Sequence, residues 1–108
     1  MGGNLFMKVL LVCSGGMSSS IVVKAVKKEA DKQSFPLEIK SVGTGEFQNE
    51  LEEGNYNLVI VAPQVKHRMK SFEEQAKPFN VPVEVIVPMG YTPIGATKVL
   101  DQIRKHVK

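Results

Sequence analysis

Apolar positions along this chain fall into two alternating kinds of segment. Met7–Val12 is a nearly unbroken apolar run, the pattern of a strand covered on both faces. Leu58–Ala62 repeats that pattern, and Val83–Val87, framed by Pro82 and Pro88, forms a further short run. Leu37–Val42 instead alternates apolar and polar residues with period two, as expected of a half-buried strand. Between these runs the spacing changes to that of a helix. Ile21, Val22, Ala25, Val26 and Ala30 fall on one stripe and predict a helix over Ser18–Gln33. Phe47–Glu53 reads as a short helix stopped by Gly54-Asn55. Val65, Met69, Phe72 and Ala76, at i, i+4, i+7 and i+11, predict a third helix that ends before Pro78. Thr92-Pro93, a cap residue followed by proline at the first helical position, opens a fourth helix carrying Ala96, Val99, Leu100, Ile103 and Val107.

Strand and helix therefore alternate four times. Such a chain is expected to be α/β, a single four-stranded parallel sheet with right-handed crossovers and helices on both faces. Strand order 2-1-3-4 is the expected arrangement. In that order the chain reverses direction between strands 1 and 3, and ligands bind at the carboxyl ends of those two strands. The segments there are Cys13–Ser20 and Pro63–Lys66.

Length and composition narrow the class. The 108 residues, 43% apolar and 23% charged, suit one globular domain. A single cysteine allows no internal disulfide, which fits a reducing, cytoplasmic setting. No apolar run approaches the ~20 residues that span a bilayer, so no direct membrane insertion is expected. Met1–Phe6, ahead of a second methionine at Met7, reads as a short leader or expression remnant, leaving 7–108 as the domain. The net charge of +3 comes from 14 basic and 11 acidic side chains, the lysines lying mostly on helix faces. With five Phe and two Tyr scattered through the chain, no basic stripe interleaved with aromatics marks a nucleic-acid surface.

The candidate chemistry lies in Cys13-Ser14-Gly15-Gly16-Met17-Ser18-Ser19-Ser20, which runs from a buried strand straight into a helix. Two glycines let the backbone turn tightly with its amides uncovered. A helix N-terminus carries about half a positive charge and several unpaired N–H donors, which makes it an anion site. Ser18, Ser19 and Ser20 cap the helix or offer hydroxyls to an anion. A cysteine at the mouth of such a turn has its thiolate favoured, and the thiolate is the nucleophile. A lone cysteine is also a common small core residue, and serines are common caps; the coincidence of strand, cysteine, glycines and helix start favours chemistry. A nucleotide P-loop is excluded because no G-K-[ST] follows the glycines, a dinucleotide fingerprint because G-x-G-x-x-G is missing, and C-x-x-C redox chemistry because there is no second cysteine. The alternative is a low-molecular-weight phosphatase or arsenate reductase. Those enzymes resemble C-x5-R, with an arginine clamping the phosphate; here Ser19 stands in that place.

Val12–Ser20 resembles the C-S-x-G-M-S-T-S loop of the enzyme IIB component of the phosphoenolpyruvate-dependent sugar phosphotransferase system, lactose/cellobiose (chitobiose) type. Ala62-Pro63-Gln64-Val65 is similar to that family's segment after strand 3. Pro82–Ile86, Tyr91 and Val99-Leu100 are similar to its last strand and helix. The resemblance runs from about Met7 to the end. It implies a flavodoxin-like sheet related to that of the low-molecular-weight phosphatases. It also implies a monomeric cytoplasmic carrier with no cofactor and no metal, peripherally associated with the membrane. That carrier accepts a phosphoryl group from a histidine of a phosphorylated IIA protein onto Cys13. It donates the group to a sugar, a β-linked disaccharide such as cellobiose, chitobiose or lactose, bound by the membrane IIC component. Ser14–Ser20 would cradle the phosphoryl group by their amides. Serine at position 19, where threonine is common, is a departure.

A second loop completes the expectation. Pro63 and Gln64 follow strand 3 and would sit beside the cysteine, where Gln64 either bonds phosphoryl oxygens or the donor histidine, or simply caps the next helix. Lys66, His67, Arg68 and Lys70 read either as a solvated helix start or as a basic patch that attracts an acidic or phosphorylated partner. Tyr91 either faces the loop, matching the family tyrosine, or packs in the core. Met17 anchors the turn by packing.

Overall fold

A computed structural model describes residues 7–13, 18–87 and 95–106; of 18–20 it describes the backbone alone. Its strands are β1 (Met7–Cys13), β2 (Leu37–Gly43), β3 (Leu58–Val61) and β4 (Val83–Val85). Its helices are α1 (Ser18–Lys32), α2 (Phe47–Gly54), α3 (Met69–Ala76) and α4 (Ala96–Arg104). The sheet is parallel throughout, in the order β2-β1-β3-β4. That is the expected topology, and the apolar pattern explains it. The two unbroken apolar runs are the central strands: Leu10, Val12 and all of Leu58–Val61 are fully buried. β2, the alternating segment, lies at one edge, with Ile39 and Val42 buried and Glu38 and Lys40 in solvent. Charged residues along an edge strand discourage pairing with a second sheet.

Side chains from the two faces of the sheet build two cores. Leu10, Val12, Val42, Val59 and Val61 pack with Phe47 and Leu51 of α2 and with Phe72 and Ala76 of α3. Met7, Val9, Leu11, Leu58 and Ile60 pack with Val22 and Val26 of α1 and with Ala96, Val99 and Ile103 of α4. α1 and α4 thus share one face and α2 and α3 the other. The rings of Phe47 and Phe72 join α2 to α3 edge to face, with centroids 5.0 Å apart.

Two boundaries differ from the sequence reading by more than one residue. The third helix does not begin at Val65. Pro63–Arg68 forms a 3-10 turn with Val65 at φ −121°, and the α-helix starts at Met69. Pro63 has no N–H to give, Ala62 before it is extended, and Val65 N–H closes the turn on Ala62 O at 3.1 Å. Before Pro78 the helix stops at Ala76 as expected, followed by a second 3-10 turn over Lys77–Phe79. β4 stops at Val85, two residues early. Ile86 N–H still reaches Val61 O at 3.0 Å, but Val87 N–H donates to Oε1 of Gln102 on α4. Nε2 of the same buried glutamine donates to Val85 O and to Glu84 Oε1. Glu84 also meets His106 Nε2 at 2.8 Å. One side chain replaces the ladder where the strand leaves the sheet. The predicted helix start at Thr92-Pro93 and the residue Val107 lie outside the described residues.

α2 is held to the edge of the sheet by polar contacts. Glu50 accepts from Lys40 Nζ and from the Tyr56 hydroxyl, both at 2.8 Å, and Lys8 Nζ lies 5.0 Å from the centre of the Tyr56 ring. At the end of this helix Asn55 takes a left-handed conformation, and a Cβ on Gly54 would run into the Tyr56 ring. The left-handed Asn55 ends the helix, and the Tyr56 ring leaves no room for a side chain at Gly54. The hydrogen bonds from Lys40 and Tyr56 hold the Glu50 carboxyl below its ordinary range, while burial and Glu50 together push the Tyr56 hydroxyl up. A carboxyl with a depressed folded-state pKa contributes stability above the ordinary carboxylate range and loses it as pH falls through the folded value. Acid unfolding of Glu50→Gln is therefore expected to show a shallower loss of stability below about pH 4 than wild type. Parallel curves for the two proteins would show that this pair does not contribute.

Candidate functional site

Cys13 is the last residue of β1, the strand flanked by β2 and β3. Its register partner on β2 is Gly43, also the last residue of its strand. On the other side Ala62 N–H donates to Val12 O at 2.9 Å, so the chain leaving β3 passes directly beside the end of β1. The carboxyl ends of β1, β2 and β3 meet at one level. This is the crevice where a doubly wound sheet binds ligands, because the crossovers on its two sides diverge there. α1 begins five residues after Cys13.

Strand alternation would point Cys13 towards α1, on the side of Leu11. It belongs instead to the α2/α3 core with Val12, Val42, Ala62, Val65 and Phe72, and it is 3% exposed. Its Sγ lies 3.6 Å from Val42 O, within reach of a weak S–H donor. The sulfur thus sits at the rim of a packed core, under the edge of the crevice. Surrounding packing restricts its rotamers, which positions a nucleophile more sharply than an open loop would.

The second predicted segment comes to the same edge. Pro63 and Gln64 are exposed at the start of the 3-10 turn that packs against β1. Val65 turns inward, 4% exposed, into the core that holds Cys13. With Val65 anchored, Lys66, His67 and Arg68 face solvent in the same turn, and Lys70 follows on α3. The structure therefore brings Cys13, Pro63 and Gln64 to one end of the sheet. Ser14, Gly15, Gly16, Met17 and Tyr91 lie outside the described residues. Ser18, Ser19 and Ser20 form the first turn of α1.

Sequence reasoning missed two features of this edge. Gly43 stands opposite Cys13 at the end of β2 with the half-buried Thr44 just past it, and the Val42 carbonyl faces the sulfur. Only the parallel register reveals them, since no spacing in the chain encodes which residue of β2 lies opposite residue 13. Among the described residues, no group of His, Cys, Asp and Glu side chains is arranged to hold a metal ion.

A family model described as the lactose/cellobiose-specific IIB subunit of the sugar phosphotransferase system matches residues 8–102. The chain belongs to that family. It is 30% identical over 95 residues to the oligo-beta-mannoside-specific EIIB component of Bacillus subtilis (strain 168), covering 88% of this chain and 90% of that one. It is also 30% identical over 66 residues to the lactose-specific EIICB component of Staphylococcus aureus, covering 61% of this chain and 11% of that much longer protein. The lactose-specific IIB domain of Streptococcus pneumoniae has the same fold, with a TM-score of 0.79 over 95% of this chain and 99% of that chain at 22% identity. In this IIB chain the matched region contains both Cys13 and the Pro63–Arg68 turn. Among the described residues no helix is long and apolar enough to cross a membrane.

Proposed function

We propose that this IIB chain is a phosphoryl carrier, with Cys13 as the acceptor. The observation that carries the reading is the place of its single cysteine. The cysteine ends a central strand, beside the chain leaving β3 and just before α1, at the crevice of a sheet of the IIB family. The donor is a phosphohistidine of a IIA protein. In the first step the Cys13 thiolate attacks phosphorus, an S–P bond forms, the N–P bond breaks, and its electron pair stays on the histidine ring nitrogen. In the second step a sugar hydroxyl bound by the IIC component attacks the same phosphorus. The O–P bond forms as the S–P bond breaks, the thiolate is regenerated, and the hydroxyl proton passes to a base on the sugar side.

Both steps need the entering and leaving atoms in line and the charge on the three equatorial oxygens stabilised. The amides of Ser14 to Ser20, at the N-terminus of α1, would supply that stabilisation. Gln64 stands ready to bond a phosphoryl oxygen, and Lys66 and Arg68 raise the local concentration of an acidic partner. The S. aureus relative, whose name joins IIC with IIB in one chain, supports a working position next to the membrane transporter. The sugar is a β-linked disaccharide or short oligosaccharide, the class to which the lactose, cellobiose and oligo-β-mannoside names of the relatives point. Incubation with phosphoenolpyruvate and the upstream carriers tests the reading. Intact-protein mass is expected to rise by one phosphoryl group on a peptide containing Cys13. An unchanged mass beside a control IIB that becomes labelled would overturn it.

A further inference from the structure

The helices of this chain differ sharply in charge, α1 and α4 being basic and α2 acidic, while the α3 side is mixed, with Lys70, Glu73 and Glu74. α1 and α4, together with the adjoining Lys105, present seven lysines and arginines against three carboxylates. α2 and its preceding residue hold Glu46, Glu50, Glu52 and Glu53 with no lysine or arginine. Solvated helix surfaces need charge but not segregation of charge, so solubility alone does not explain the difference.

The basic face has a definite centre. Lys24, Lys28 and Lys32 recur at i, i+4 and i+8 along α1, which places them in one row. They line a groove of about 420 Å³ together with Ile21, Ala25, Glu29 and Ala96. Among the described residues none of the α1 lysines forms an ion pair. Glu29, the carboxylate within the groove, accepts a hydrogen bond from Gln33 Nε2 at 2.9 Å, and Gln33 is held in turn by Arg104. At the head of the row Ile21 is 55% exposed, the most exposed large apolar side chain on the described surface. Uncommitted ammonium groups around an exposed aliphatic side chain match a layer of anionic headgroups over hydrocarbon. The ammoniums meet phosphate, the lysine stems lie along the interface, and the isoleucine enters it. A nucleic acid fits less well, because the row has no aromatic to stack on a base.

We infer that the α1/α4 face docks this chain onto the anionic lipid surface around its membrane partner. The inference rests on the carrier reading only for placing the chain near a membrane. Contact through the α1/α4 face leaves the acidic α2 turned away from like charge. It also leaves the carboxyl edge with Cys13 uncovered at the side, where a transporter would meet it. The attraction is weak and reversible, as suits a carrier that shuttles between donor and acceptor.

Co-sedimentation with phosphatidylcholine vesicles containing about 30% phosphatidylglycerol tests it at low and at physiological salt. Wild-type protein is expected to pellet with these vesicles, less so at the higher salt, and not with pure phosphatidylcholine. Each lysine contributes about fivefold near an anionic surface. Lys24→Glu/Lys28→Glu is therefore expected to weaken binding by at least about 25-fold. Lys70→Glu/Lys77→Glu changes net charge equally on the opposite face and is expected to weaken it far less. Equal losses in the two double variants would mean net charge alone is read, and the inference fails. Wild type that gains a phosphoryl group yet ignores anionic vesicles also overturns it while leaving the carrier reading intact. Vesicle binding without phosphoryl uptake does the reverse. If wild type ignores the vesicles and the Lys24/Lys28 reversal instead slows uptake from the donor, the face belongs to an acidic protein partner.

Discussion

Cys13→Ser is expected to abolish phosphoryl uptake while leaving the far-ultraviolet circular dichroism spectrum unchanged. Serine is smaller than cysteine, and its hydroxyl finds an acceptor in the Val42 carbonyl that Sγ now approaches at 3.6 Å. The fold therefore survives. Chemistry does not, because an alkoxide is inaccessible at neutral pH where a thiolate is accessible. The two histidines are the only other ordinary phosphoryl acceptors of this kind, and neither has a suitable setting. His67 is exposed on the 3-10 turn, and His106 is engaged with Glu84. Label on either in the Cys13→Ser protein would sink the assignment. The same wild-type preparation separates the carrier from the phosphatase-like alternative. A carrier with serine at position 19 in place of arginine holds its phosphoryl group until an acceptor arrives. Turnover of an aryl phosphate at about 1 per second or faster would favour the hydrolase.

The second large effect is structural. Phe72 is 2% exposed and meets Phe47 edge to face, at an interplanar angle of 69°. Truncation removes the ring, its contact with Phe47 and the seal over the core that contains Cys13. Phe72→Ala is expected to cost about 3–5 kcal/mol, against a total of about 5–15 kcal/mol for a domain of ordinary stability. The urea midpoint then falls with little change in slope. Phe72→Leu keeps most of the volume and is expected to cost much less. A loss under about 1 kcal/mol for the alanine variant would mean that α3 does not pack on the sheet as described. Because Cys13 shares this core, the alanine variant is also expected to take up phosphoryl more slowly at temperatures where it remains folded. A nucleophile displaced by about 1 Å loses much of its rate.

Local pattern made much of the architecture readable. Continuous apolar runs at Met7–Val12 and Leu58–Ala62 can only be satisfied by strands covered twice, which puts them in the middle of the sheet. The alternating Leu37–Val42 belongs at an edge for the same reason. Alternation with helices then leaves few topologies, and the cysteine at the end of the first run falls at the ligand crevice of the favoured one. The family resemblance was likewise legible, because its motifs are short, spaced and local.

What tertiary structure alone decided concerns groups far apart in the chain. Pro63 marked a boundary, but the 3-10 turn after β3 arises because Val65 is drawn into the core beside Cys13, which turns Lys66, His67 and Arg68 to solvent. β4 looks five residues long, yet it ends after three because Gln102, 17 residues beyond Val85, takes over its hydrogen bonds. The side of the sheet on which the Cys13 sulfur rests also eluded period-two reasoning. It goes with the approach of Sγ to the Val42 carbonyl, 29 residues away. Periodicity reports which face of an element is apolar. It carries no information about which distant donor or acceptor that element meets, and those meetings place the cysteine at the rim of its core.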